Sequence, residues 1–328
     1  MSRICLYYRP AADADRWVPG DRHVRPLIRR LVRGKPRLSG VDRVFHNLCL
    51  GLDELRIPYQ VNLPFKRLAP DDQVGVLGQG RHCLDGYDRP NPIVAGIGLF
   101  TYAAEWPDLC ETYPVATYLS HSEWVSAMIR PWYGDRCAIW PVGIETERWT
   151  PDASATKTVD FLLYDKIHWE YDRRERELLE PIRATLRAKG LSFEELRYGS
   201  YEPDDYRAAL SRCRAMIYLG EHESQGIAIQ EAMSSGVPVL AWDQGWYLDP
   251  DRLKWGLPER VPATSVPYFD ERCGVRFTGM PDFPARLEEF LDRLRSGRLA
   301  PRDYIMEHLT LARCSAHFVS FLDAARAA

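Results

Sequence analysis

The chain has 328 residues, too many for one ordinary core and suited to two α/β domains of roughly 150 residues each. Apolar residues make up 45% and charged residues 27%, the proportions of a folded globular protein, so a disordered chain is excluded. A formal net charge of −3 gives no sign of a nucleic-acid partner. The eight cysteines stand singly, with no Cys-x-x-Cys and no Cys/His spacing of a metal site, and read as buried thiols of a reducing compartment. The start of the chain lacks a signal-peptide pattern and no apolar run reaches membrane-spanning length, so the expectation is a cytoplasmic protein.

Short apolar runs alternate with helical patterns throughout, as in parallel sheets joined by crossover helices. In the first half the strand candidates are 4–8, 58–63, 74–77, 93–97, 115–119 and 137–142. Between them, Val41, Val44, Phe45, Leu48, Leu52 and Leu55 recur at helical spacing behind Ser39, a plausible N-cap. Before that helix, residues 24–37 hold Val24, Leu27, Ile28, Leu31 and Val32 on one helical face and Arg25, Arg29, Arg30 and Arg33 mostly on the other. Such a helix either packs on its own domain or lies on an anionic membrane surface. Pro141-Val142-Gly143-Ile144 leads into Trp149-Thr150-Pro151-Asp152 and a polar stretch up to Lys157 that reads as a linker, which places the boundary near 153: an N-terminal domain at 1–152 and a C-terminal domain at 153–328. The second half predicts strands at 159–164, 194–198, 215–219 and 237–241, with helices at 172–189, 204–212 and 226–235. A Pro/Gly-rich stretch at 245–285 defies assignment, and helices at about 284–296 and 302–326 close the chain.

The segment from Glu221 to Ala241 carries the chemistry. A strand ends near Leu219, a turn holds Glu223, and a helix opens near Gly226. Glycine there allows close approach to the backbone, and the first amides of a helix lack internal partners, so the place suits a phosphate. Glu231 follows Glu223 by eight residues, and two carboxylates flanking an anion-binding helix start suit hydroxyl groups on either side of a diphosphate. An isolated glutamate pair would be an ordinary solvated face; this one sits in a strand, turn and helix context.

Glu223-x7-Glu231 followed by Ala232-Met233-x-x-Gly236-x-Pro238-Val239 resembles the signature of the GT-B glycosyltransferases of family four, a large retaining group. Ser39-Gly40-Val41, Ser122-Glu123-Trp124 and Pro141-Val142-Gly143-Ile144 are similar to other stretches of that family, and the likeness covers about residues 39–55 and 115–243. The resemblance implies an α/β chain of two Rossmann-like doubly wound domains facing across a cleft, with room for the C-terminal helix to cross back to the N-terminal domain. It implies transfer of a hexose, with retention, from a nucleoside-diphosphate sugar to a hydroxyl acceptor, without metal or cofactor. Glu223 would then hold the transferred sugar and Glu231 the ribose hydroxyls. Gly226 and Ile227 would offer amides to sugar and diphosphate, and Gly40 would let the N-terminal domain approach the phosphates. The family places two basic residues on the loop after the first strand of the second domain; here Lys166 matches the first, and Arg173 or Arg174 substitutes for the second. The histidine that many members carry near 98–102 is absent, which leaves the sugar open. The acceptor is expected to be a hydroxyl compound, lipid-linked or anionic if residues 24–37 recruit it at the inner face of a membrane. The rival functions are a sugar-nucleotide epimerase of the same architecture and a degenerate, non-catalytic binding subunit.

Overall fold

The computed structural model describes residues 2–11 and 39–327, and the basic segment 24–37 lies outside them. The chain divides into two compact units: one takes residues up to Ser120, Met128–Val142 and the end of the chain from Ser315, the other His121–Ala127 and Gly143–Cys314.

The first unit contains β1 (Ile4–Arg9), α1 (Gly40–Glu54), β2 (Tyr59–Val61), β3 (Gln73–Gly78), β4 (Ile93–Gly96), α2 (Leu109–Thr112), β5 (Val115–Ser120), most of α3 (Glu123–Tyr133) and β6 (Cys137–Ile139). Its six strands are parallel, in the order β2-β1-β3-β4-β5-β6. Helix α1 starts where the sequence puts it because Ser39 and Asp42 form a reciprocal capping box, the Asp42 amide donating to Ser39 Oγ at 3.2 Å and the Ser39 amide to Asp42 Oδ2 at 2.7 Å. Val44, Leu48 and Leu52 are its buried stripe.

The second unit contains β7 (Val159–Lys166), α4 (Tyr171–Arg174), a π-helical turn (Glu175–Leu179), α5 (Glu180–Ala188), β8 (Phe193–Arg197), α6 (Pro203–Arg212), β9 (Cys213–Gly220), α7 (Ile227–Ser234), β10 (Val239–Trp242), β11 (Gly274–Phe277), α8 (Phe283–Arg295) and α9 (Pro301–His308). Its five strands are also parallel, in the order β11-β10-β9-β7-β8. Strand alternation sends Leu162, Tyr164, Met216 and Tyr218 into one apolar layer with Tyr206 and Met233, and Phe161, Leu163, Ile217 and Leu219 into the other with Ile182, Leu186 and Phe290.

Three features depart from the expected elements. The stretch 245–285 contains β11, a four-residue edge strand that pairs with β10 after a long excursion. The closing helix at 302–326 is two helices, α9 and α10 (Leu311–Ala327), because Leu309 turns out of the helix and its carbonyl accepts the Ile144 amide at 2.8 Å. The units divide after Val142 rather than near 153, since Ile144 and Trp149 are buried in the core of the second unit. The Arg302 guanidinium fixes that segment, donating through Nη1 to the carbonyls of Thr146, Trp149 and Ser234 at 3.2, 3.0 and 2.6 Å. From Ser315 onward α10 belongs to the first unit, where Phe318 packs on Trp140 at 5.0 Å between ring centroids.

None of the eight cysteines forms a disulfide. Cys213, Cys273 and Cys314 are buried, and that burial raises each thiol to about 12.

Candidate active site

In the second sheet β8 lies on one side of β7 and β9 on the other, so the direction of winding reverses between β7 and β9. Outside the carboxyl ends of those two strands an open parallel sheet has its natural ligand crevice. Lys166, the last residue of β7, is in register with Gly220, the last residue of β9. The segment Glu221-His222-Glu223 leaves β9 at that point, and α7 follows. The motif identified in the sequence therefore lies at the switch point of its own sheet.

Glu223 is the hub. Lys166 Nζ forms an ion pair with Glu223 Oε1, and the Tyr218 hydroxyl donates to the same oxygen. Gly220 makes this possible, since a Cβ at that position would lie 2.5 Å from the Tyr218 hydroxyl. The Glu223 backbone is held on both sides: its amide donates to the Thr264 carbonyl at 3.0 Å, and its carbonyl accepts the Trp124 indole N–H at 2.9 Å. Burial raises the Tyr218 hydroxyl far above its usual range, aided by the Glu223 carboxylate, so it stays a neutral donor.

Gly226 takes φ +84° and ψ 48° as the residue before α7, the left-handed conformation that glycine adopts without strain. Gly226 has no side chain with which to cap α7, so the amides that begin at Ile227 receive no acceptor from the N-cap residue's side chain. Glu231 lies within α7 and is only 6% exposed. The Glu231 charge adds to the upward shift of Tyr206, which is chiefly due to burial.

Beside Glu223, the His222 ring lies flat on Trp169 (5.1 Å, 19°), edge-on to Trp124 (5.6 Å, 76°) and against Tyr247 at 4.4 Å. Burial lowers His222 to about 4. Lys166 Nζ stands 4.7 Å from the centroid of the Tyr198 ring, so the cation has an aromatic wall as well as a carboxylate.

The two arginines weighed as the second cation part company. Arg173 is spent on an exposed helix face, bonded to Glu170 and to Glu177 at 3.0 Å, and does not join Lys166. Arg174 instead lies over the Trp242 ring at 5.1 Å, at the carboxyl end of β10, and its Nε has no hydrogen-bond partner. Its nearest carboxylate oxygen, from Glu170, is 4.0 Å away. Gly40 opens α1 in the first unit and is exposed, with open space where a Cβ would stand. Tyr218, Glu221, Trp124 and Thr264 were not legible as site residues. One signal existed for Glu221: a charged residue one glycine beyond the fully apolar run Ala215–Leu219. Among the described residues no group of three or more His, Cys, Asp or Glu side chains is arranged to hold a metal ion, and no helix is long and apolar enough to cross a membrane.

No protein-family model matches the sequence, and no curated protein is significantly similar to it. Solved structures do resemble the fold. A GtfA/B complex aligns with 88% of this chain and 60% of its own at TM-score 0.51 and 13% identity. A point mutant of TarM from S. aureus aligns with 85% of this chain and 58% of its own at TM-score 0.51 and 10% identity. WaaG, a glycosyltransferase involved in lipopolysaccharide biosynthesis, aligns with 98% of this chain and 99% of its own at TM-score 0.49 and 10% identity. The chain thus spans about three fifths of the length of the first two. Two parallel α/β sheets of six and five strands give it the fold of the GT-B glycosyltransferases.

Proposed function

We propose that the chain is a glycosyltransferase that moves a sugar, a hexose in the simplest case, from a nucleoside diphosphate to a hydroxyl acceptor with retention at the anomeric carbon. The observation that carries this reading is the Lys166–Glu223–Tyr218 constellation at the switch point, beside the uncapped start of α7. The TarM mutant was solved with UDP and α-GlcNAc-glycerol, which makes UDP and its sugars the first donors to try.

The chemistry assigned to each group follows from its charge. The barrier is departure of the diphosphate from a carbon that becomes oxocarbenium-like. Lys166 and the first amides of α7 stabilise the charge growing on the departing oxygen, with Arg174 as the second cation. Glu223 accepts hydrogen bonds from hydroxyls of the transferred sugar, and Glu231 from those of the ribose. The acceptor oxygen bonds to the anomeric carbon on the face the phosphate leaves, the carbon to phosphate-oxygen bond breaks, and the acceptor proton passes to the leaving diphosphate. The scheme assigns no step to a metal, so a chelator should leave turnover unchanged.

Incubation with a panel of UDP-, ADP- and GDP-sugars tests the reading. Acceptor-dependent release of nucleoside diphosphate supports it, epimerised donor without release supports the epimerase, and binding without turnover supports a binding subunit. Glu223→Ala and Glu231→Ala should fold and turn over roughly tenfold to a thousandfold more slowly. Near-normal transfer by both would remove these residues from the site.

A further inference from the structure

The loop that leaves β7 at Lys166 carries three successive backbone amides, those of Ile167, His168 and Trp169, next to the ligand crevice. Amides in such a row ordinarily bind an anion from solvent. Here buried carboxylates of the protein take all three. Asp165 Oδ1 accepts from Ile167 at 3.0 Å; Glu221 accepts from His168 at 3.0 Å through Oε1 and 3.2 Å through Oε2, and from Trp169 at 3.0 Å. Asp165 also accepts from the Tyr171 hydroxyl at 2.9 Å and from the Arg197 guanidinium. Glu221 is 1% exposed, and no ion pair is formed by it among the described residues. Its compensation is the amide pair itself, with the more distant Arg174. The Gln244 side chain holds the Glu221 carbonyl at 3.2 Å, so the residue is anchored from both ends.

We propose that Glu221 is a positioning residue of the transfer site, a built-in anion that ties the loop after β7 to the turn after β9 and keeps the His168 and Trp169 amides from binding the donor's phosphates. This rests on the transfer reading. With those amides occupied, the diphosphate is left to Lys166 and the start of α7, and cannot slide from Lys166 into the loop after β7. Holding Trp169 in place also keeps His222 flat against it, next to Glu223.

Glu221→Gln is the discriminating variant, since it keeps the size of the side chain but removes its charge and puts an NH2 group where Oε2 faces the His168 amide at 3.2 Å. Hydrogen exchange of residues 165–171 should accelerate at least about tenfold, and kcat should fall about tenfold or more, while UDP affinity by calorimetry is kept or tightened because a freed amide can now reach phosphate. If Glu221→Gln does not fold, Glu221→Asp, which keeps the charge one methylene shorter, is read the same way. Unchanged exchange, or faster exchange with kcat within twofold of the wild type, overturns the proposal. If the wild type moves no sugar from any donor, the transfer reading fails separately. UDP affinity then decides alone: equal or tighter binding with faster exchange supports the role of Glu221, and weaker binding overturns it.

Discussion

The His222 ring offers a direct measurement of how dry the site is. Desolvation between Trp169, Trp124 and Tyr247 is the main force lowering it from 6.5 to about 4, with Lys166 and His168 acting in the same direction and Glu223 and Asp249 opposing. The unfolded chain therefore binds a proton near pH 6.5 that the native chain refuses until about pH 4. Stability from this residue is complete above 6.5, declines as pH falls through that value, and is fully lost near 4. At about 1.36 kcal/mol per pH unit the whole loss is about 3 kcal/mol, of which about 2 kcal/mol has gone by pH 5. Replacing the ring by one that cannot take a proton, His222→Phe, should flatten the pH dependence by about that amount. Urea unfolding of both proteins at pH 8 and pH 5, with NMR titration of the histidine ring protons, reads it out. A His222 midpoint at 6 or above, or the same pH dependence in both proteins, would refute the reasoning.

Lys166→Ala should weaken UDP binding in calorimetry, whereas Arg173→Ala, which loses only exposed pairs with Glu170 and Glu177, should leave it unchanged. Arg302→Ala strands the carbonyls of Thr146 and Ser234, leaves that of Trp149 only the Ser234 hydroxyl at 2.6 Å, and should lower stability by about 2–4 kcal/mol without changing UDP affinity, as urea unfolding would detect. For residues 24–37, recruitment of a lipid-linked or anionic acceptor predicts co-sedimentation with anionic but not neutral liposomes, weakened by salt; indifference to anionic liposomes at low salt would leave a soluble acceptor.

The chain order of strands and helices was readable because apolar alternation and capping residues are local, as Ser39 and Asp42 illustrate at the start of α1. Glu223, Gly226 and Glu231 could be grouped as candidates for the same reason, all lying within one turn and helix after β9. What escaped depends on which strands become neighbours. Glu221 meets His168, 53 residues earlier in the chain, only because β9 pairs with β7, and no periodicity encodes that. Arg173 and Arg174 are adjacent in sequence, yet a helix turns successive side chains about 100° apart, so one reaches Trp242 and the other solvent. β11 is four residues long behind a Pro/Gly-rich excursion, too short for alternation to register. The division after Val142 was hidden because the turn-rich composition from Trp149 to Lys157 marks a surface loop as readily as a linker.

The deeply buried thiols, none of them in a disulfide, have a practical consequence. A thiol held near 12 is almost wholly protonated at pH 8, and burial also denies a reagent access, so alkylation must wait for the surrounding structure to open. Cys5 and Cys83 report on the first unit, and Cys213 and Cys273 on the second. Labelling rates followed by mass spectrometry would give an opening free energy for each half of the native chain without any introduced probe. Adding UDP during labelling should then slow the second pair alone if the nucleotide is bound wholly by the second unit.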